Sequence, residues 1–343
     1  MADPTGSELV IGGERVAPGE RRRLSLPVAM LHTHTPVEMP VEVIRGRRPG
    51  PRLFITAAVH GDELNGIEII RRLSAMAVLK RLRGTLILVP VVNVFGVLNH
   101  SRYLPDRRDL NRSFPGSERG SLAARLANLV TTEIIAGSTH GIDLHTGAIH
   151  RSNLPQIRGD MADEDIRTMA QAFGVPAILD SPPREGSLRA AAMEKGIPTV
   201  VYEAGEALQF DEMAIRVGVT GIVNVMRSIG LLAPRTSASK PRRRPVVARS
   251  STWIRASGGG ILRSALQLGA LVEPGDLLGT ISDPLGDTEF SVVSGEKGVV
   301  IGISSLPLVN EGDALFHIAR FAAPERVADA VEELERDTFE DAE

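Results

Sequence analysis

The sequence predicts an α/β protein, in which a mixed sheet is flanked by helices and is followed by a smaller C-terminal all-β barrel or sandwich. Up to about residue 232, short apolar runs rich in β-formers alternate with segments whose apolar residues recur at helical spacing. Such alternation is typical of a sheet enclosed between helix layers. Beyond residue 250, short β-segments separated by glycines favour a small barrel or sandwich.

Changes in composition divide the chain into five predicted regions. An N-terminal β-hairpin region covers residues 1–46 and leads into the main α/β unit at 47–232. The stretch 233–249 carries three prolines and a basic cluster, which predicts a linker. A barrel-like unit follows at 250–322, and the acidic tail at 323–343 is expected to form an exposed helix.

Within the α/β unit, strands and helices are predicted in regular succession. Strands are predicted at 52–59, 85–92, 141–145, 177–179 and 198–203. Helices are predicted at 66–79, 121–135, 163–173, 188–195 and 211–229. The strand ends matter most, because ligands of α/β sheets bind beyond the carboxyl ends of the strands.

Composition and charge narrow the classes of function. The 39 basic and 42 acidic residues give a net charge of −3, without the concentrated charge that a nucleic acid or membrane surface requires. No cysteines are present, so any metal ion must be held by His, Asp or Glu. The N-terminus lacks a signal-peptide pattern, and no apolar run reaches the ~20 residues of a membrane-spanning helix. We therefore expect a soluble cytoplasmic protein, with homo-oligomer formation left open.

Two histidines that follow predicted strands indicate a metal site. His60 begins HGDE directly after an apolar strand, so Glu63 falls near the first turn of the next helix, and His145 ends the strand GIDLH. Beyond the carboxyl edge of the sheet these three side chains could share one ion and leave a position for water, as in catalytic zinc sites. The alternative is that Asp62 and Glu63 only interact with the helix N-terminus.

The other candidates around this site are weaker. Asp143, two residues before His145, could orient a metal ligand or could simply be a backbone-bonded acid at a strand end. His140 is expected to face the opposite side of the sheet from His145, because the two lie five residues apart on one strand. The histidines expected to be surface or structural groups are His32, His34, His100, His140, His150 and His317.

Proton transfer and charge stabilisation require further side chains. Glu203 ends a third apolar strand, in VVYEAGE, and is the candidate base; Glu206 is its rival. The loop between the two histidine segments contains four arginines, Arg102, Arg107, Arg108 and Arg112. A planar guanidinium suits carboxylates and developing oxyanions, but position alone selects none of the four.

Several motifs, taken together, resemble a known family. HGDE, then SRY with DLNR, then DLHTG and YEAG occur in this order between residues 52 and 206. The set resembles the succinylglutamate desuccinylase/aspartoacylase family, which belongs to the zinc carboxypeptidase-like superfamily. The resemblance implies the fold of that superfamily. It also implies a β-structured second domain that narrows the mouth of the pocket, consistent with residues 245–320.

The resemblance also implies roles for individual residues. One zinc ion per chain would be held by His60, Glu63 and His145. Glu203 would serve as general base and then as general acid. Arg102, in SRY, would polarise the scissile carbonyl and stabilise the oxyanion.

Substrate contacts follow from the same resemblance and from the polar segment after DLHTG. In DLNR, Asn111 and Arg112 would bind a carboxylate of the substrate, and Arg158 offers a further polar contact. The β-unit also resembles a lipoyl or biotinyl barrel. Lys297 falls within the SGEKGVV turn, away from the expected modification hairpin, so no attached lipoate or biotin is expected.

These implications predict a zinc-dependent amidohydrolase that hydrolyses the amide bond of a small N-acyl amino acid or related carboxylate-bearing amine. A metallocarboxypeptidase acting on short peptides would use the same metal site and is the first alternative. The second is a catalytically inactive zinc-binding scaffold protein. The joint presence of a base candidate, an oxyanion candidate and an open coordination position argues against the scaffold.

Overall fold

A twelve-stranded mixed sheet dominates the structure, a computed structural model that describes residues 8–234 and 245–340. The amino-terminal and central strands are β1 Leu9–Ile11, β2 Glu14–Val16, β3 Arg21–Met30, β4 Pro36–Arg45, β5 Arg48–Ala57, β6 Arg83–Val89, β7 His140–His145, β8 Arg151–Gly159, β9 Ala177–Asp180 and β10 Thr199–Gly205. The carboxyl-terminal strands are β11 Val246–Arg255, β12 Gly260–Ser264, β13 Leu271–Val272, β14 Leu277–Ser282, β15 Glu289–Val293, β16 Gly298–Ser304, β17 Leu308–Val309 and β18 Ala314–Phe321.

In the described residues, seven α-helices accompany these strands. They are α1 Asn65–Ser74, α2 Val94–Leu98, α3 Leu122–Val130, α4 Glu164–Phe173, α5 Leu188–Glu194, α6 Glu212–Ser228 and α7 Pro324–Glu340. In the part of the chain that the structure describes, no helix is both long and apolar enough to cross a membrane.

The sheet has a separate hydrophobic core on each face, because side chains alternate along its strands. On β5, Leu53 and Ile55 pack into the cluster formed with α1, α4 and α6. Phe54, between them, packs into the second cluster, which includes residues of α3 and α5. Burial on both sides explains why β5 is a nearly continuous apolar run rather than an alternating one. The predicted α/β class is confirmed.

Strand β8 is absent from the strands that the sequence predicted. Its sequence, RSNLPQIRG, is polar and contains Pro155, so it lacks the pattern of a strand. It nevertheless pairs antiparallel with β10 and parallel with β9. This strand carries Asn153 and Arg158 to the candidate site.

The carboxyl-terminal β-unit shares strands with the main sheet instead of forming a detached module. β11 pairs parallel with β9, β18 with β11, β16 with β18, and β16 also with β8. The five strands β8, β9, β11, β16 and β18 thus close into a circle of pairings, here called the shared ring. Strands β12, β14, β15 and β17 form a separate four-stranded sheet.

The five predicted regions stay predictions. Two elements near their boundaries, strand β11 and helix α7, differ from what the sequence predicted. Most of the predicted linker, residues 235–244, lies outside the described residues, and strand β11 begins at Val246, inside the remainder. The expected exposed tail helix is α7, and one of its faces is buried. Its residues Val327 and Val331 join the core cluster of the shared ring.

Candidate metal centre and cavity

Two neighbouring parallel strands bring the predicted metal ligands together. β5 and β7 pair in parallel, so their carboxyl ends meet at one edge of the sheet. His145 is the last residue of β7, His60 lies in the turn that follows β5, and Glu63 lies just before α1. One ligand atom of each residue lies within 4.8 Å of the others, and all three side chains are buried.

The turn that carries His60 and Glu63 is tightly held against helix α2. A Cβ added at Gly61 would overlap the backbone of Gly96, so only glycine permits this approach. Ala58 adopts a φ of +50°, a conformation that is costly for residues other than glycine. Close packing and backbone strain are typical of segments whose position is set by function.

Carboxylates surround the two imidazoles and define their orientation. The two Glu63 oxygens lie 2.7 Å from Nδ1 of His60 and 2.7 Å from Nδ1 of His145. On the outer side of the rings, Nε2 of His145 lies 2.8 Å from Asp143 and Nε2 of His60 lies 3.1 Å from Asp109. A carboxylate that accepts a hydrogen bond from Nε2 fixes the ring hydrogen of a neutral imidazole on that nitrogen. The lone pair is then on Nδ1, as a metal ligand requires.

The charge of this cluster also fits a divalent cation. Burial by itself would raise the pKa of Glu63, but His60 and His145 hold that pKa far below its usual value. Burial would likewise raise the pKa of Asp109, and His60 and Arg102 hold it low. Burial would lower the pKa of His60 and His145, but the carboxylates beside them raise it, so protons on the two rings balance part of the negative charge. Where both rings act as neutral ligands, the group has three carboxylates, those of Glu63, Asp109 and Asp143, against one guanidinium. This excess of negative charge is what a divalent cation would balance.

Arg102 lies next to the ligands, as expected. Its Nη1 donates to Glu63 over 3.3 Å and its Nη2 donates to Asp109 over 3.0 Å. Asn111 and Arg112 line the same cavity. The Asn111 side-chain oxygen, however, accepts a hydrogen bond from the backbone N–H of Leu188, so this asparagine also fixes the start of α5.

A cavity of about 480 Å³ opens in front of the ligand cluster. Six arginines line it: Arg102, Arg112, Arg151, Arg158, Arg184 and Arg189. Its three lining acids are Glu63, Asp143 and Glu203, and each is already bonded to a histidine or an arginine. The cavity therefore suits an anionic ligand and offers no spare carboxylate to an ammonium group.

Glu203 lines this cavity beside the ligands. It pairs with His145 on β7 and with Gln156 on β8. One of its carboxylate oxygens accepts hydrogen bonds from Arg158 over 2.8 Å and from Asn153 over 3.3 Å. The rival Glu206 is not among the lining residues and accepts instead from the backbone N–H of His150. Arg158, expected to contact substrate, thus holds the candidate base.

Some site residues escaped the sequence analysis. Asp109 is the first residue of the motif DLNR, in which only Asn111 and Arg112 were given roles, and its contact with His60 across 49 positions gave no local signal. Arg189 is 7% exposed, and its Nη1 has no hydrogen-bond partner among the described residues. The expectation that His317 is a surface group is wrong, because it is 5% exposed and lines the cavity together with Trp253.

The fold and the site define a class of protein, the α/β enzymes whose sheet edge presents a His–Glu–His cluster suited to a metal ion. The model of the succinylglutamate desuccinylase/aspartoacylase catalytic domain matches residues 49–229, more than half of the chain. The protein belongs to this family of amide-cleaving deacylases, as the sequence motifs predicted.

Known relatives extend the similarity over most of the chain. N-alpha-acetyl-L-2,4-diaminobutyric acid deacetylase of Halomonas elongata is 27% identical over 294 residues, which cover 82% of this chain and 86% of the relative. A succinylglutamate desuccinylase/aspartoacylase structure from Rhodobacter sphaeroides has a TM-score of 0.78 at 24% identity and covers 88% of this chain and 94% of its own. The product-bound ectoine utilization protein EutE (DoeB) of Ruegeria pomeroyi has a TM-score of 0.78 at 24% identity, with coverage of 88% and 95%. At this identity the two structures establish the shared fold.

Proposed function

We propose that this protein is a zinc-dependent deacylase that hydrolyses the amide bond of a small N-acyl amino acid. His60, Glu63 and His145 would hold the ion. The observation that carries the proposal is their placement: two imidazoles with Nε2 fixed by carboxylates, next to a cavity-facing glutamate. Three ligands of this composition leave a coordination position open, which distinguishes catalytic from structural zinc sites.

The chemistry divides between the ion and the side chains around it. Zinc at such a site polarises a carbonyl and makes water more acidic. Glu203 would take a proton from the attacking water and deliver it to the departing nitrogen, giving a carboxylic acid and a free amine. Arg102 would donate to the oxygen on which negative charge develops. Arg158 and Asn153 hold the Glu203 carboxylate in place for this transfer.

The arginines of the cavity support a substrate that carries a carboxylate. Asn111 and Arg112 line the cavity on the side of Arg102, and we assign them to such a group. Arg189 adds a buried guanidinium whose Nη1 lacks a partner among the described residues, and burial lowers its pKa. Leaving a buried donor unpaired costs free energy, so an anion at this position would be stabilised.

The size of the cavity favours a small acyl amino acid over a peptide. About 480 Å³ is sufficient for a compact ligand of this kind. Trp253 and His317 from the carboxyl-terminal strands form part of its lining and restrict it. A metallocarboxypeptidase would share the metal ligands but would require room for an extended chain.

The proposal is tested by turnover of defined amides. Protein loaded with zinc, cobalt or manganese is incubated with a panel of N-acyl amino acids and, separately, with dipeptides, and the released amine is measured. We expect release from the acyl amino acids, one bound ion per chain, and loss of activity after chelation. Faster cleavage of dipeptides would favour the peptidase, and metal binding without turnover of any amide would favour the scaffold protein.

A further inference from the structure

A second cavity, here called the basic groove, lies at the edge of the main sheet where β5 and β6 begin. It has a volume of about 810 Å³ and is lined by residues 19–21, 44–48, 75–77, 79–83 and 233. Strand β5 starts in the basic groove at Arg48 and ends at Ala57, three residues before His60. The nine steps from Arg48 to Ala57 (57 − 48) correspond to up to about 30 Å of extended chain. The basic groove is therefore separate from the candidate metal centre at the carboxyl ends of the strands.

Positive charge is concentrated in the basic groove. Seven arginine or lysine residues line it against one acid, Glu20, which is itself paired with Arg22 over 2.7 Å. One of the seven, Arg21, is paired with Glu42 over 2.9 Å. Five of the others are exposed and have no carboxylate within 4 Å among the described residues: Arg47, Arg48, Lys80, Arg81 and Arg83. They come from separate segments of a chain with a net charge of −3, so the overall balance of charge does not reveal them.

Two of these arginines lie side by side although their charges repel. Arg48 of β5 and Arg83 of β6 are partners in the register of this parallel pair. Neighbouring strands lie about 4.8 Å apart, and like charges at paired positions destabilise a sheet. Proteins break such rules mainly at functional sites. An anion that accepts hydrogen bonds from both guanidinium groups would remove the repulsion.

The backbone beneath the basic groove is closely packed. A Cβ added at Gly46 would overlap the carbonyl oxygen of Leu82, and one added at Gly84 would overlap that of Pro51. Gly84 also has a φ of +71°, in the left-handed region that favours glycine. The N–H of Gly46 donates to the carbonyl of Gly84 over 2.8 Å. The cationic side chains thus start from a fixed frame, so binding a ligand requires little ordering of the backbone.

The shape of the basic groove favours a small ligand over a nucleic acid. Its volume lies within the range of pockets that bind small molecules. None of the described residues that line it is aromatic, so it lacks the stacking surface on which single-stranded nucleic acids bind. A compact molecule with several closely spaced negative charges fits both features.

We propose that the basic groove binds a small molecule with a chain of two or more phosphate groups, such as a nucleoside triphosphate. A terminal phosphate carries close to two negative charges and three acceptor oxygens, whereas a carboxylate carries one charge. The planar guanidinium fork matches phosphate geometry. Several phosphates in a small volume therefore balance the five exposed cations. The proposal is independent of the deacylase reaction, because the basic groove shares no described lining residue with the candidate cavity.

The test is isothermal titration calorimetry of the metal-loaded protein with ATP, inorganic tripolyphosphate and orthophosphate, with the metal content checked afterwards. ATP and tripolyphosphate should bind at one per chain, and orthophosphate at least about tenfold more weakly. Binding should weaken as the salt concentration rises, because exposed charges are screened. Tighter binding of ATP than of tripolyphosphate would identify a nucleotide as the ligand, and equal binding would identify the phosphate chain alone; both support the site.

Variants of the paired arginines connect this binding to the basic groove. Arg48→Gln and Arg83→Gln should each raise the Kd for tripolyphosphate about tenfold, the effect of one hydrogen bond to a charged group. Without ligand, both variants should unfold at a higher temperature than wild type, because the repulsion between paired charges is removed. With saturating tripolyphosphate, the unfolding temperature of wild type should rise more than that of either variant.

Two control variants remove an arginine elsewhere. Arg119→Gln changes the charge by the same amount at an exposed position outside the basic groove and should bind tripolyphosphate as wild type does. Arg184→Gln removes an arginine from the candidate cavity and should also leave this Kd unchanged.

Three results would overturn the proposal. The first is an unchanged Kd for tripolyphosphate in both Arg48→Gln and Arg83→Gln. The second is a loss of binding in Arg184→Gln alone, which would move the ligand to the candidate cavity. The third is tighter binding of a duplex oligonucleotide than of tripolyphosphate, lost in Arg48→Gln, which would assign the basic groove to nucleic acid. None of these measurements depends on amide turnover, so failure of the proposed function leaves them interpretable.

Discussion

Glu203 enters the cavity with one carboxylate oxygen already hydrogen-bonded to Arg158 and Asn153. Because Glu203 is not in the ligand cluster of His60, Glu63 and His145, its replacement should separate metal binding from proton transfer. Glu203→Gln keeps the shape of the side chain and removes the proton acceptor. We expect kcat to fall by about 10²–10⁴-fold with an unchanged metal content, measured by amine release and elemental analysis.

The matched control is Glu206→Gln, which changes the same residue type three positions away and outside the cavity lining. This variant should retain most of the activity, because the hydrogen bonds of Glu206 within the described residues come from the His150 backbone and from Ser305. Near-normal turnover by Glu203→Gln, or an equal loss in both variants, would assign the base elsewhere.

At the residue scale, local motifs explain why His60 and Glu63 lie close together, whereas the contacts around them join distant segments. His60 and Glu63 stand three positions apart in one motif, so their proximity follows from the chain itself. His60 and Asp109 are 49 positions apart in the sequence, and no sequence pattern links the two positions. His317 appeared as an isolated histidine in a β-rich segment, and only the closure of the shared ring buries it.

At the scale of single elements, the turn between β5 and α1 determines where two of the three ligands lie. Gly61→Ala would force a methyl group into the backbone of Gly96 and displace this turn. We expect a loss of about 1–3 kcal/mol in the free energy of unfolding, measured by chemical denaturation, as for other overpacking changes. Metal affinity should fall as well, because His60 and Glu63 move with the turn.

Gly295→Ala is the control for this change, since nothing lies within 4 Å of a Cβ at that position and its φ is not in the left-handed region. It should leave both stability and metal affinity close to wild type. If Gly61→Ala behaves like this control, the packing of the turn against α2 does not position the ligands.

The sequence predicted the helices and strands that have strong apolar periodicity. It missed the strand that is defined by its pairing with other strands. The strand ending at His145 and the helix at 212–228 have clear apolar periodicity. β8 has Pro155 and polar residues in its sequence, yet it pairs with β9, β10 and β16. Its identity as a strand comes from its partners, of which Ser304 lies 153 positions from Arg151 (304 − 151), far beyond any local window.

At the scale of the whole molecule, the shared ring makes the carboxyl-terminal strands part of the main sheet. A chain ending at residue 232 would lose β11 from the edge of β9 and β16 from the edge of β8. Unpaired strand edges favour association between chains. We expect this shortened protein to aggregate, measured by sedimentation velocity, and to lack activity because Trp253 and His317 are missing from the cavity.

A soluble monomer of residues 1–232 with cooperative unfolding and wild-type turnover would contradict this expectation. It would mean that the main unit folds and works without the carboxyl-terminal strands. The sequence alone could not show whether the main unit depends on the carboxyl-terminal strands. The pairing of Ala177 with Val246 joins two segments that are far apart in the chain, on either side of residues 235–244.

The shared ring also bears on the order in which the protein is made. Ribosomes deliver the amino-terminal segments first, and these can begin to fold during synthesis. The ribosome synthesises His60, Glu63 and His145 about a hundred residues before Trp253. A nascent chain can therefore bring the ligand residues together before β11 is available to pair with β9. The cavity is therefore complete only after the carboxyl-terminal strands have been synthesised. A metal ion bound before that point would become enclosed only when these strands have paired.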